Sequence, residues 1–183
     1  MANVLRLSGL LLALGTLFFA VALLYCELSY PNYSYSKNFI SDLGLGGTAG
    51  IFNAAAILTG LLLVAVGALL STKKPFGLTG FLLGLSGIGV AGVGLFPETT
   101  WPLHLVSAHL AFFLGPLAAI SSFKTSKPTI AYLSAVLGTL SLFAGILLIS
   151  GMDFELGLPI MERIVVYPFM LWALVYGFSL WRK

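Results

Sequence analysis

Apolar residues run through this chain in six long blocks separated by short polar or proline-marked breaks. The blocks are Val4–Cys26, Gly50–Leu70, Gly77–Phe96, Leu103–Phe123, Thr129–Ser150 and Pro159–Trp181. Each is close to the ~20 residues that a helix needs to cross ~30 Å of hydrocarbon. The breaks carry turn chemistry: Lys73-Lys74-Pro75, Pro97, Pro102, Lys127-Pro128 and the stretch from Gly151 to Pro159. No segment outside the blocks is long enough for a soluble domain. The pattern therefore predicts a single all-α domain over residues 1–183, a polytopic integral membrane protein built as a six-transmembrane-helix bundle. Within the first block Ala20-Val21-Ala22 resembles a signal-peptide cleavage site, but the apolar run continues through Leu23, Leu24 and Tyr25 and spans as it stands.

Composition narrows the class further. The chain is 59% hydrophobic and 8% charged, with a mean hydropathy of +1.05. A soluble domain is about 25% charged, so this chain cannot clothe a globule in wetted side chains. A soluble enzyme, a secreted disulfide scaffold and a disordered chain are all excluded. The single cysteine, Cys26, rules out an internal disulfide and a multi-cysteine metal site. There is no glutamine and there are four asparagines, a composition that suits a heat-adapted source.

Charge adds sidedness. Arg6, Lys73, Lys74, Lys124, Lys127, Arg182 and Lys183 fall at one set of helix ends. Glu27, Lys37, Asp42, Glu98, Asp153, Glu155, Glu162 and Arg163 fall at the other. An excess of Lys and Arg marks the cytoplasmic side, so both termini are expected in the cytoplasm and the acidic end outside, in a cell membrane. The acidic end then carries a formal −4 and the basic end +7. The overall +3 is the residue of an orientation signal, not a nucleic-acid footprint.

Helices in lipid associate through small residues that let backbones approach. Gly77, Gly80, Gly84, Gly87, Ala91 and Gly94 recur every three or four residues along the third block and form one seam, which predicts a helix central to the bundle with a neighbour pressed against it. Pro116 and Pro168 fall inside predicted helices, where each ring frees the carbonyl four residues back, on Phe112 and Ile164.

Nearly every reactive group lies at the acidic end. The longest connection, Glu27–Thr48, holds Tyr30, Tyr33 and Tyr35, which suit a headgroup-level belt. Asn38, Ser41 and Asp42 follow, with Ser36 placed to cap a short helix that Gly44 ends. If this stretch folds back into the bundle mouth, Asp42 becomes a desolvated carboxylate that must pair; otherwise it is a turn carboxylate facing water. His104 opens the fourth helix shortly after Glu98, and imidazole is the side chain best suited to proton transfer near neutral pH. His109 lies five residues on and on a different face, so the two histidines make no metal pair. Its simplest role is as a satisfied hydrogen-bond partner. Glu162 and Arg163 begin the sixth helix, where Arg163 is expected to clamp Asp42, Glu98 or a lipid phosphate, or else to lock the bundle through a structural ion pair. Asn53 reads as an interhelical hydrogen bond.

There is no phosphate loop, nucleophile elbow, His-Glu-x-x-His or CxxC motif. The segments Tyr35–Gly44, Leu95-Phe96-Pro97-Glu98 with His104–Ala108, and Met161-Glu162-Arg163-Ile164 with Trp172 downstream resemble a family of small prokaryotic membrane proteins, the domain of unknown function 998 group. The resemblance covers essentially the whole chain and implies six spans in these places. It also implies that Asn38, Ser41, Asp42, His104, Glu162 and Arg163 hold the family's polar motif positions. It names no substrate.

The expectation is a polar site at the outer leaflet acting as a hydrolase or group transferase on a lipid or other amphiphile. Asp42, His104 and Glu98 are the candidate catalytic groups; Arg163, Asn38, Ser41 and Glu162 are the candidate binding groups. Membrane lipids are the expected partners, with no nucleic acid. No cofactor is expected; a single divalent cation between the carboxylates and His104 is the rival arrangement. Two other classes compete with the enzyme: a non-enzymatic binding or assembly protein whose polar cluster is a structural lock, and a small transporter.

Overall fold

The computed structural model describes residues 1–183 and is all helical. Its six long helices are α1 (Ala2–Ser29), α2 (Ala49–Ser71), α3 (Gly77–Leu95), α4 (Leu103–Ser121), α5 (Pro128–Ile149) and α6 (Leu158–Trp181). All six are long and apolar enough to cross a membrane. Large apolar side chains such as Leu14, Leu61, Phe81, Val136 and Phe143 face outward along them, as lipid contact requires. Single turns of 3₁₀ helix at Ser41–Gly44, Gly46–Thr48, Glu98–Thr100 and Ser122–Thr125 fill the connections. Both α4 and α6 run through their internal prolines without a break.

The helices form a ring in chain order: each packs on the next, and α1 closes against α6. Close approach is made by glycine. On α2, Gly60 lies against Gly87 and Ala91 of α3, and Gly67 lies against Gly80 and Gly84. On α1, Gly9 lies against the backbone of Gly177 to Trp181. The seam on α3 thus serves α2, as small residues in a span predict. A second small face, Gly89 and Gly92, meets Ser107 and Ala111 of α4. Here the structure corrects the sequence reading: α3 is one stave between α2 and α4, not a central helix, because it is small on two faces and no helix occupies the middle of the ring.

The two ends of the bundle differ. Towards the basic end the ring is filled: Leu70, Leu83, Trp172, Tyr176 and Leu180 are fully buried in one cluster. Its polar groups pair inside, with Trp172 Nε1 donating to Ser122 Oγ at 3.1 Å and Tyr176 and Thr125 sharing a hydrogen bond of 2.9 Å. Towards the acidic end the middle is open. A cavity of about 100 Å³ lies between the helices, closed above by the α1–α2 connection, whose Ile40 and Leu43 are buried against Leu23, Cys26 and Phe52.

Candidate functional site

The α1–α2 connection does fold back into the bundle mouth, and α6 holds it there through two adjacent residues. The backbone N–H of Ile40 donates to Glu162 Oε2 at 2.5 Å. Arg163 Nη1 donates to the carbonyl of Asn38 and to Pro159 of its own helix, both at 2.8 Å. Just before α6, Gly157 takes a φ of +93° that favours glycine, and a Cβ there would sit 3.1 Å from the Ser36 carbonyl. The connection is therefore a strap across the acidic end, pinned by the start of the sixth helix.

The strap turns one residue differently from expectation. Asp42 faces outward, half-exposed, and its Oδ2 accepts from Asn38 Nδ2 at 3.1 Å and from the Phe39 N–H at 3.0 Å. It is the carboxylate that closes the turn, and with that bond made the 3₁₀ turn starts at Ser41, so Ser36 caps no helix. Ser41 faces inward and lines the cavity. Its hydroxyl donates to Glu98 Oε1 at 2.5 Å and lies 3.4 Å from Glu162 Oε1. One hydroxyl thus bridges two carboxylates drawn from the α3–α4 connection and from α6.

His104, half-buried, lines the same cavity together with Ser41 and Glu162. Its Nδ1 is 2.8 Å from the Phe96 carbonyl. A carbonyl only accepts, so Nδ1 carries the proton and Nε2 of the neutral ring is left with a free lone pair. The same bond ties the start of α4 to the end of α3. Ser107, three residues on, donates to its own helix at Leu103. His109 does likewise to Leu105, at 2.6 Å, and stacks on Phe113 away from the site. Asn53 Nδ2 donates to the Gly44 carbonyl at 3.1 Å, fastening the strap to α2.

Arg163 departs furthest from expectation. It is 4% exposed, yet no carboxylate accepts from it: besides the two carbonyls, Nη2 donates to the Tyr33 hydroxyl. Its guanidinium lies 5.5 Å from the Tyr33 ring centre and 5.1 Å from that of Tyr35, the cation–π distance range. Burial pushes the Tyr33 phenol well above its ordinary pKa despite the nearby guanidinium, so the oxygen that Arg163 meets is a neutral phenol. The missing counter-charge stands one residue further off. Glu27 Oε2 accepts from Tyr35, at 3.2 Å, and Glu27 Oε1 accepts from Tyr167, at 3.1 Å. The charge of Glu27 is in turn the main reason the Tyr35 phenol is held above its usual pKa. Sequence reasoning left Glu27 as a rim charge and the tyrosines as a belt; together they form the cage of a buried cation. The repeated Tyr-x-Tyr at 33 and 35 was the available signal.

The candidate residues therefore divide in two. Ser41, Glu162 and His104 line the cavity, and Glu98 is joined to them through its bond with Ser41. Asn38, Asp42 and Arg163, joined by Glu27, Tyr33, Tyr35 and Tyr167, build the strap that covers it. Below the mouth the cavity walls are mostly apolar, with Phe19, Phe52, Val90, Phe112 and Phe169 among them. No three His, Cys, Asp or Glu side chains gather as a metal-holding group.

Among known proteins, a family model described as "Protein of unknown function (DUF998)" matches residues 13–179, most of the chain and all of the site. No curated protein matches the chain, and no solved structure does either.

Proposed function

We propose that this chain, which belongs to the DUF998 family, is a multi-pass membrane protein that binds an amphiphile at its acidic end and acts on it by hydrolysis or group transfer. The observation that carries the reading is the Ser41 hydroxyl between two carboxylates at the mouth of an apolar cavity, with His104 lining the same space. An amphiphile needs this pairing: apolar walls for its tail and fixed polar groups at the rim for its head. His104, with Nε2 free, serves as general base. When one of the two carboxyls carries a proton, it can pass through Ser41 to the other, the hydroxyl giving up its own proton as it takes the new one. Glu162 also fixes the strap through Ile40, so the reacting groups are held before the amphiphile arrives.

In a lipid nanodisc containing a total lipid extract, the protein is expected to release a product detectable by mass spectrometry. Ser41→Ala and His104→Ala are expected to lower that rate by about 100-fold or more while leaving the melting temperature within a few degrees. Variants that melt early yet still turn over at the wild-type rate would refute the assignment. The structural-lock reading applies to the Arg163 cage, whose terminal nitrogens already bind groups within the protein. A transport path would have to cross the basic half, where Leu70, Trp172, Tyr176 and Leu180 fill the ring.

The acidic end is taken to lie outside the cell, on the Lys/Arg asymmetry. Epitope tags on either terminus are expected to survive protease added to intact cells and to be removed once the membrane is opened. A tag cut on intact cells would reverse the orientation.

A further inference from the structure

The connection between α5 and α6 has a backbone that its own residues do not favour. α5 ends in a Schellman arrangement: Gly151 is left-handed at φ +70°, its N–H donates to the Leu148 carbonyl at 3.2 Å, and the Met152 N–H donates to Leu147 at 3.0 Å. Glycine suits that position. The chain then reverses between Asp153 and Leu156, where the Leu156 N–H donates to the Asp153 carbonyl at 2.9 Å. Asp153 Oδ1 also accepts from the Glu155 N–H, at 3.1 Å. Both central residues, Phe154 and Glu155, are left-handed, at φ +50° and +65°. That is the arrangement of a type I′ turn, for which Asn-Gly is the favoured pair. A Cβ makes the left-handed region costly, and here an aromatic and a long acidic residue adopt it in succession. Phe154 is 64% exposed, so packing within the chain does not compensate.

The surroundings show what can. Met152, Phe154 and Leu156 are each more than half exposed, three large apolar side chains within one short turn. They continue a surface already present. Leu140, Phe143, Ile146 and Ile149 follow at three-residue steps along α5 and all face outward, the stripe that lipid covers, and Met152 is the next step.

Helix length sets the depth. α5 has 22 residues, about 33 Å at 1.5 Å per residue, against ~30 Å of hydrocarbon. Lys127, immediately before it, keeps its start among the headgroups of the basic side. The helix therefore ends level with the opposite hydrocarbon boundary, and any tilt brings that end lower. The turn cannot stand clear of the bilayer.

We propose that this turn is a lipid-inserted wedge: Phe154, with Met152 and Leu156 beside it, enters the acyl boundary of the leaflet at the acidic end while Glu155 stays among the headgroups. Burial of the three side chains in lipid then offsets the left-handed backbone. The partner is the bilayer surface itself, and the proposal does not rest on the functional reading above. A second copy of the chain fits less well, because copies of one orientation would set their acidic ends, each a formal −4, side by side at this turn. The wedge also bears on the site. Gly157 follows it directly and lies against the Ser36 carbonyl of the strap, and the Pro159 carbonyl accepts from Arg163, so an anchored turn keeps the covered mouth at headgroup level.

The test is nitroxide accessibility in vesicles of phosphatidylcholine. Cys26, the only native cysteine, is fully buried, so Met152→Cys, Phe154→Cys and Glu155→Cys each take a single label. Collision with oxygen, which concentrates in hydrocarbon, is compared with collision with a water-soluble nickel chelate. The oxygen-to-nickel ratio is expected to be several-fold higher at the Met152 and Phe154 positions than at Glu155. The label at Met152 leaves Phe154 in place; adding Phe154→Asn and Glu155→Gly, the pair that a type I′ turn prefers, is expected to lower the ratio there several-fold. Equal ratios at all three positions, the mark of a tip in water, would overturn the proposal. Labels at Met152 and Phe154 shielded from both reagents would overturn it too, as a tip covered by protein. A ratio at Met152 unmoved by the paired substitution would remove Phe154 as the anchor, and the wedge with it.

Discussion

Arg163→Ala is expected to destabilise the protein by about 3–5 kcal/mol, from the loss of three hydrogen bonds made by a buried charged donor. The guanidinium holds the Asn38 and Pro159 carbonyls and the Tyr33 hydroxyl at once. At 4% exposure, water cannot replace it fully. The Tyr33 and Tyr35 rings would also lose the cation they enclose. The expected observations are a melting temperature lowered by many degrees and protease cleavage within residues 30–45. Arg163→Lys should fall between, because an ammonium keeps the charge but cannot reach three acceptors with one planar fork. An alanine variant that melts like the wild type, with its strap still protected, would show that the cage contributes nothing.

That expectation differs from the one the sequence supports, and the difference is instructive. Opposite charges near one another in a membrane segment are rightly expected to pair, and Asp42, Glu98 and Glu162 were all available to Arg163. Each was already engaged. Asp42 closes its own turn on Phe39, Glu98 takes the Ser41 hydroxyl, and Glu162 takes the Ile40 amide. These are bonds between residues far apart in the chain or a single turn apart, and no helical periodicity encodes them. The exchange of Asp42 for Ser41 has the same origin. Neighbouring side chains in a tight turn point in very different directions, so a reading that places the segment correctly still does not say which of two adjacent residues enters the cavity.

What periodicity does encode is legible. The six spans are long, their apolar runs uninterrupted and their ends marked, so α2, α3, α5 and α6 begin and end within a residue of the sequence reading. The exceptions are informative. The run of α1 extends to Ser29 because Glu27, near its end, is buried by Tyr35 and Tyr167 rather than left at a rim. α4 stops at Ser121, two residues early, because its last turn tightens into the 3₁₀ segment Ser122–Thr125, whose hydroxyls meet Trp172 and Tyr176. The proline effect was also displaced by a residue: the carbonyl near Pro168 that a neighbour satisfies is that of Val165, which accepts from Ser141 at 2.5 Å, and not that of Ile164.

The α2–α3 seam gives the other large effect, and it can be read as a competition of two terms with opposite signs. Alanine is a better helix former than glycine by about 0.8–1.0 kcal/mol, so Gly→Ala in a helix stabilises where space allows. At Gly50, on the first turn of α2, a Cβ would meet nothing within 4 Å, and Gly50→Ala is expected to be neutral or mildly stabilising. At Gly60 a Cβ would stand 2.3 Å from the Ala91 nitrogen and 2.6 Å from the Gly87 carbonyl oxygen. Those atoms belong to the backbone of α3 and cannot turn aside as a side chain would. The helices must separate, at a cost of about 3 kcal/mol that exceeds the propensity gain. Gly67→Ala should behave alike, since its Cβ would stand 2.5 Å from Gly84. Thr59, just before Gly60, and Leu63, three residues after it, line the cavity, so moving α2 outward widens the cavity as it weakens the seam. Thermal unfolding of the three variants in one detergent measures this directly: Gly50→Ala at or above the wild type, with Gly60→Ala and Gly67→Ala well below it. Equal melting temperatures for all three would mean that α2 and α3 are not packed glycine to glycine.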